Sequence, residues 1–406
     1  MPNPTRTLSA LAVTLALLLA TAAAPAPAPI AAQLYAAPTA PSIILLIGDG
    51  MGTAQRQAAT WASQGLTGTL HMDTLPVHGA THTGSADSAI TDSAAAATAI
   101  ATGVKTDNGV VGRTPDGHDL TSILDLARLQ GMAVGLVSNT QLAHATPAGF
   151  IANVASRSQV TEIARQMAAS GAEVLLAGGE NHFLPIGTTG CHPDSGERTD
   201  GRDLVAEMAG EGYTTICEPA QLATLPLTTT HVLGLFADEG MPRPHAPALA
   251  DLTQTALTLL SQDPDGFFLM VEGGQIDWAG HGNDAANVIG DTLAFDDAVA
   301  VALAHAHAAP ASPLVIVTAD HETGGMSLAL APTGAPGEDG PFATPDGTPF
   351  WVNWSSTYHT AVDVPLTATG PLSDRLAGPH ENTHTFVVMR NLLYPFRTAL
   401  PLVAND

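Results

Sequence analysis

Short apolar runs rich in β-branched residues alternate with helical stretches along most of this chain, and no other feature limits its fold so strongly. The clearest strands are read at Ser42–Ile47, Ala133–Val137, Glu173–Ala177, Val232–Phe236, Phe267–Val271 and Leu314–Val317. Helical segments are read between them near Leu120–Gln130, Gln159–Ser170, Pro247–Gln262 and Asp284–Ala308. This order predicts an α/β fold, doubly wound, with a mainly parallel central sheet and helices on both faces. No internal repeat is present. The alternation breaks in the Gly/Pro-rich region from Pro332 to Pro349 and the polar and aromatic residues that follow to about Pro379. That break predicts a smaller inserted surface region, 332–379, within one domain spanning 40–406.

Residues 1–24 read as a secretory signal peptide. Arg6 supplies the positive start, Leu8 to Ala20 an apolar stretch too short to span a bilayer comfortably, and Ala22 to Ala24 the small residues of a cleavage site. The Ala/Pro alternation makes 25–39 an extended linker. The expectation is export to the periplasm or the medium, with no stable membrane anchor. Cys191 and Cys217 are an even pair, which in an oxidising compartment points to a disulfide; a free buried pair is the alternative. Acids outnumber bases 38 to 13, for a net charge of −25, and Lys105 is the only lysine. Such a chain offers no general surface for nucleic acid or anionic membrane. Any anionic substrate must be drawn by local cations, metal or arginine.

Polar residues fall just beyond the apolar runs. Ile47 is followed by Gly48-Asp49-Gly50, Val137 by Ser138-Asn139-Thr140, Val271 by Glu272-Gly273-Gly274, and Val317 by Thr318-Ala319-Asp320-His321-Glu322. In an open parallel sheet these turns share one crevice beyond the carboxyl ends of the strands. Asp277 and His281 stand four apart, on one face of a helical turn and close enough to hold one ion. Asp320-His321 adds a second carboxylate–imidazole pair, and His384 another imidazole near the C-terminus. Residues 91–99 read as a serine at the start of a small-residue helix: Thr91 and Asp92 are good caps, and Gly103 is a stop. The hydroxyl of Ser93 there meets the positive end of the helix, which suits an anionic phosphoryl or acyl group.

Taken together and in order, these segments resemble the alkaline phosphatase family over about residues 40–390. The matching motifs are Gly48–Gly52, Thr91–Ala99, Thr102–Thr106, Ala145-Thr146-Pro147-Ala148, Ser156-Arg157, Val271 through His281, and Thr318 through Gly325. The resemblance implies that Ser93 is the nucleophile that becomes phosphoserine, and that Arg157 grips two phosphate oxygens. It implies one zinc site at Asp277, His281 and His384, and another at Asp49, Asp320 and His321 joined by Ser93. A third, magnesium-type site would use Asp49, Thr146 and Glu272. His380, four residues before His384, is the alternative for the last zinc ligand. The implied substrates are small phosphate monoesters. Family members are often dimeric, and the sequence leaves a homodimer open.

Two positions near the implied phosphate site depart from one bacterial pattern. His144 stands where some members carry aspartate, and Trp278 where they carry lysine. Losing that charged pair predicts a third site that binds magnesium weakly or accepts other ions. Phosphodiesterase and sulfatase activity are the nearest rivals. Diesterases usually present threonine as nucleophile, and sulfatases need a Cys/Ser-x-Pro-x-Arg setting, whereas Ser93 is followed by alanines. A non-catalytic phosphate- or metal-binding protein would not need an activated hydroxyl.

Overall fold

Alternate side chains of the strand Ile43–Gly48 enter two different cores, which is how this chain becomes a three-layer molecule. Ile43, Leu45 and Ile47 pack on the side of the helices Ser93–Thr102, Ile123–Leu129, Val160–Ala168 and Thr383–Leu393. Ile44 and Leu46 pack on the opposite side, against Thr53–Gln64, Leu249–Leu260 and Ala285–Ala308. Because successive strand side chains point to opposite faces, a fully apolar strand can only be satisfied by helices on both. The structure, a computed structural model, describes residues 41–309 and 311–395. The signal peptide and linker read at 1–39 lie outside the described residues.

The central sheet has ten strands, in the order Gly378–Glu381, Val77–His82, Val364–Thr369, Leu314–Thr318, Ile43–Gly48, Phe267–Gly273, Ala133–Gln141, Val174–Gly178, Val232–Leu235 and Thr214–Ile216. Every neighbouring pair is parallel except the two made by Val364–Thr369, which runs against both of its partners. The six strands read from sequence are all present. Most continue past their apolar residues into the polar ones, so that Ile47 stands level with both Glu272 and Thr318, and Ser138 level with Glu272. Register alone therefore brings the polar strand ends side by side.

The surface region expected over 332–379 is narrower than the sequence suggested. A separate three-stranded antiparallel sheet forms from Ser327–Ala329, Asp339–Ala343 and Pro349–Asn353. The chain then pairs His359–Thr360 with Glu322–Thr323 and re-enters the central sheet at Val364–Thr369. Val364, Leu366 and Ala368 are buried there. Their period-two pattern is visible in the sequence, but Pro365 argues against a strand inside a sheet. Pro365 is tolerated because the pairing with Leu314–Thr318 begins only at Thr367, so on that side no ladder bond is lost.

Cys191 and Cys217 are joined in a disulfide, 26 residues apart. Closing a loop of that length removes unfolded-state entropy equivalent to about 3.5 kcal/mol. The Cys191→Ser/Cys217→Ser double variant is therefore expected to lose about 3 kcal/mol of unfolding free energy in urea titrations. An unchanged midpoint would show that the bridge carries no stability.

Candidate active site

The Ser93–Thr102 helix begins at its serine because Asp92, the residue before it, accepts a hydrogen bond from Ala95 N at 3.0 Å. Gly103 closes the other end with φ 76°, a left-handed conformation that glycine adopts without strain. Ser93 is buried, and its Oγ lies 3.2 Å from His321 Nε2. His321 and Asp320 follow the strand Leu314–Thr318, while Asp49 follows its neighbour Ile43–Gly48. Asp49, Asp320 and His321 are all fully buried and form one group able to hold a metal ion.

The hydrogen bonding of His321 determines what that group can hold. The Thr323 hydroxyl donates to Asp277 Oδ1 at 2.5 Å, so its oxygen is left to accept from His321 Nδ1 at 3.3 Å. The proton then sits on Nδ1, and Nε2 presents a lone pair. That lone pair faces Asp320 Oδ2 at 3.2 Å and Asp49 Oδ1 at 3.5 Å. Both of those oxygens are buried and have no hydrogen-bond partner. Acceptors converging on acceptors repel unless a cation lies between them.

A second group has the same logic. Asp277 and His281 share one face of the helix Gln275–His281, whose first N–H groups are capped by Asn139 Oδ1 accepting from Gly274 N and Gln275 N. His281 Nδ1 donates to Thr357 O at 2.7 Å, and His359 Nδ1 donates to Thr91 O at 2.8 Å. The two Nε2 atoms consequently face each other at 3.1 Å, each 3.4 Å from an Asp277 oxygen, so their lone pairs converge once the rings are neutral. Mixed nitrogen and oxygen donors of this kind suit zinc. The third group is richer in oxygen. Thr146 Oγ1 lies 3.3 Å from Asp49 Oδ2, and Glu272 is held through Oε2 by the hydroxyls of Ser138 and Thr140. Glu272 Oε1 is left without a partner. His144 is grouped with Asp49 and Glu272, its Nδ1 standing 3.7 Å from Glu272 Oε1.

Electrostatics point the same way. Burial, then the carboxylates of Asp320, Asp277 and Glu272, push Asp49 well above the usual carboxylate range. Burial and Asp277 push Asp320 up to about 7. Burial also holds His321 far below the ordinary imidazole value, so it is neutral and able to ligate. Ionised carboxylates in such a place cost several kcal/mol each unless compensated, and divalent ions are the compensation the donor set fits.

Arg157 faces the same space. Its Nη1 donates to Asp92 Oδ2 at 3.1 Å and its Nη2 to His144 Nε2 at 3.3 Å. Asp92 thus caps the serine helix and orients the guanidinium. Ser93, Arg157, Asp277, His281 and His359 line a cavity of about 290 Å³. Trp278 packs edge-to-face with His144, ring centres 5.9 Å apart. Its ring covers Gly240, where an added Cβ would come within 2.4 Å, so the glycine makes room for the tryptophan.

One expected ligand is misplaced by the sequence reading. His384 lies outside all three groups, with its Nε2 against Arg375 O at 2.9 Å. His380 lies outside them too, on the edge strand Gly378–Glu381. Two strands separate that edge from Leu314–Thr318, a span of about 14 Å at ordinary strand spacing. His359 takes the place because its two-residue strand pairs with Glu322–Thr323, next to Asp320-His321. The signal was available: His359-Thr360 is also a His-Thr pair ahead of an alternating apolar run. Thr323, Ser138 and Asn139 lie within segments the sequence singles out, but nothing in their spacing shows that they hydrogen-bond the candidate ligands or, for Asn139, the start of the helix that carries two of them.

Fold and site together define a class: a doubly wound α/β scaffold with a buried serine beside adjoining side-chain groups able to hold metal ions at the strand ends. The alkaline phosphatase profile matches residues 40–350, and the chain belongs to the alkaline phosphatase family. It is 36% identical to the streptomycin-6-phosphate phosphatase of Streptomyces griseus, over 86% of this chain and 89% of that one. Among solved structures, the alkaline phosphatase of the Antarctic bacterium TAB5 superposes with a TM-score of 0.76 at 32% identity, covering 87% of this chain and 98% of its own. A histidine-to-aspartate variant of that enzyme, with Mg bound in its M3 site, superposes with a TM-score of 0.74 over the same shares at 32% identity.

Two outcomes follow from this geometry. Counted by elemental analysis, bound metal should fall by about one ion per chain in His359→Ala and stay unchanged in His384→Ala. The reverse would restore His384 as the ligand. A hydrogen bond to Asp277 also lifts the His281 imidazole to about 9, so in ion-free protein a proton holds the ligand position below that pH. Zinc added to chelator-stripped protein must displace it. Its apparent affinity should rise at least about tenfold per pH unit above pH 7 and level off beyond about 9.

Proposed function

We propose that this protein is an exported, metal-dependent phosphomonoesterase that hydrolyses small phosphate monoesters through a phosphoserine on Ser93. The observation that carries the reading is the 3.2 Å approach of Ser93 Oγ to His321 Nε2, where two unpartnered carboxylate oxygens converge. One zinc would be held by Asp49, Asp320, His321 and the serine oxygen, and a second by Asp277, His281 and His359. Asp49, Thr146 and Glu272 would hold a magnesium-type ion. When bound, such ions supply positive charge that lowers the proton affinity of a nearby hydroxyl and offsets charge on the entering and departing oxygens.

The chain's own groups do the rest. Ser93 Oγ, having lost its proton to solvent, attacks phosphorus in line; the Oγ–P bond forms as the ester P–O bond breaks. The alcohol leaves with the bonding pair and is protonated from solvent. Water then attacks the phosphoserine from the vacated side, releasing inorganic phosphate and returning the serine hydroxyl. Arg157 keeps N–H groups beyond those given to Asp92 and His144, and these grip the phosphoryl oxygens. The extra charged oxygen of a monoester rewards that grip more than a diester does. The helix start at Ser93 adds its positive end.

His144 bears on the third site. With Arg157 donating to its Nε2, neutral His144 carries its proton on Nδ1, toward Glu272 Oε1. A donor there competes with an ion, which supports weak or replaceable magnesium binding. In the TAB5 enzyme, a variant with aspartate in place of a histidine has Mg bound in its M3 site, which supports an acid favouring magnesium there. Export is supported by the Cys191–Cys217 disulfide and by the apolar leader read at 1–24.

Mild acid quench of the working enzyme is expected to trap one phosphoryl group, located by peptide mass analysis on Ser93. Ser93→Ala should lose roughly a thousandfold or more in turnover while retaining bound metal. Full activity in that variant would refute the mechanism.

A further inference from the structure

Ile90 and Tyr358 are large apolar side chains left in solvent, 43% and 74% exposed. Scattered singly, such residues need no explanation. These two line one cavity, the cavity that also holds Ser93 and Arg157. They reach it from segments far apart in sequence, Ile90 two residues before the cap of the serine helix and Tyr358 immediately before His359.

Neither stands on a loose loop. The Asn108 side chain donates to Ile90 O and accepts from Asp92 N, both at 2.9 Å, while Ile90 N donates to Ser88 Oγ at 3.1 Å. Tyr358 N donates to Ser356 Oγ at 2.9 Å, and Tyr358 O accepts from Gly324 N at 3.0 Å. The following residues are pinned by pairing with Glu322–Thr323. The backbone carrying each apolar group is thus ordered before any ligand arrives, which reduces the entropy cost of using it for binding.

The charges in the cavity narrow what can fill it. Arg157 is the one permanent cation of the lining and is needed at the phosphoryl group. An ester with further anionic groups finds no partner. Asp92 is already occupied by Arg157, Ala95 N and Gly109 N, and Asp277 by Thr323 and by the ion it would hold with His281 and His359. A cationic alcohol finds no free carboxylate in the lining either. What remains is uncharged and apolar.

We propose that Ile90 and Tyr358 form a leaving-group subsite selecting phosphate monoesters of uncharged alcohols that carry a flat apolar ring. The subsite rests on the phosphomonoesterase reading above and adds the class of ester preferred. The test compares kcat/KM for 2-phenylethyl phosphate and 2-hydroxyethyl phosphate, primary alkyl esters of similar intrinsic reactivity, using the metal-loaded enzyme. The native enzyme is expected to favour the phenyl ester about tenfold or more, the scale of one apolar contact in a binding site. Ile90→Ala and Tyr358→Ala should each cut the preference about threefold or more and change 2-hydroxyethyl phosphate turnover less than about twofold. Tyr358→Phe should keep the preference, since it keeps the ring. Equal use of the two esters by the native enzyme overturns the subsite, as does an intact preference in both alanine variants. A parallel fall on both esters in the alanine variants also counts against it, because it marks damage to the neighbouring ligands. Hydrolysis of neither ester overturns the phosphomonoesterase reading itself, and the subsite with it.

Discussion

The site is built on convergence of like with like. Asp49, Asp320, Glu272 and Asp277 are buried together, and several of their oxygens look at one another and at imidazole lone pairs rather than at donors. In a folded chain such an arrangement is unfavourable by several kcal/mol per charge unless positive charge is supplied. Thr323 adds to the demand, because its hydroxyl fixes the proton of His321 on the wrong nitrogen to relieve it. The carbonyls of Thr357 and Thr91 do the same for His281 and His359. The donor set the fold assembles therefore suits a cation.

The scaffold makes this tolerable. Three adjacent parallel strands deliver Asp49, Glu272 and Asp320 in register at one edge, and the cores on either side of the sheet anchor them. Apolar burial on two faces supplies the stability that a cluster of unpaired carboxylates withdraws. The same edge receives the start of the serine helix, so the Ser93 hydroxyl and the group of Asp49, Asp320 and His321 are brought together by the backbone. Asp92 couples the parts further, since one carboxylate caps that helix and holds Arg157.

Much of this was legible in the amino-acid order. Continuous apolar strands such as Ile43–Ile47 and Phe267–Val271 declare burial on both faces, and the acids placed directly after them declare a common edge. Local spacing was enough for Asp277 and His281, and adjacency for Asp320 and His321. What escaped was non-local. Val364–Thr369 is interrupted by a proline and two threonines, and its place in the sheet depends on partners far away. His359 and His384 both precede apolar runs after a His-Thr pair; only the position of their strands in the sheet separates them. Tautomer control by Thr323 is equally silent, because its hydrogen bonds to Asp277 and His321 depend on how distant segments fold together.

The pairing of Glu322–Thr323 with His359–Thr360 has a consequence for how such a protein can change over time. The three-stranded sheet of 327–353 is joined through a neck whose sides are already stitched together, while Thr357 and Tyr358, at the end of the neck, belong to the site. Each doubling of a flexible loop costs only about 0.6 kcal/mol in closure entropy. Lengthening the exposed turns of that sheet is thus inexpensive, whereas its Phe350 and Val352 are buried in the main core and hold the rest of it in place; the imidazole on the return side of the neck need not move. Chemistry and embellishment are separable here, leaving lineage-specific variation a region to work on that does not disturb the reaction.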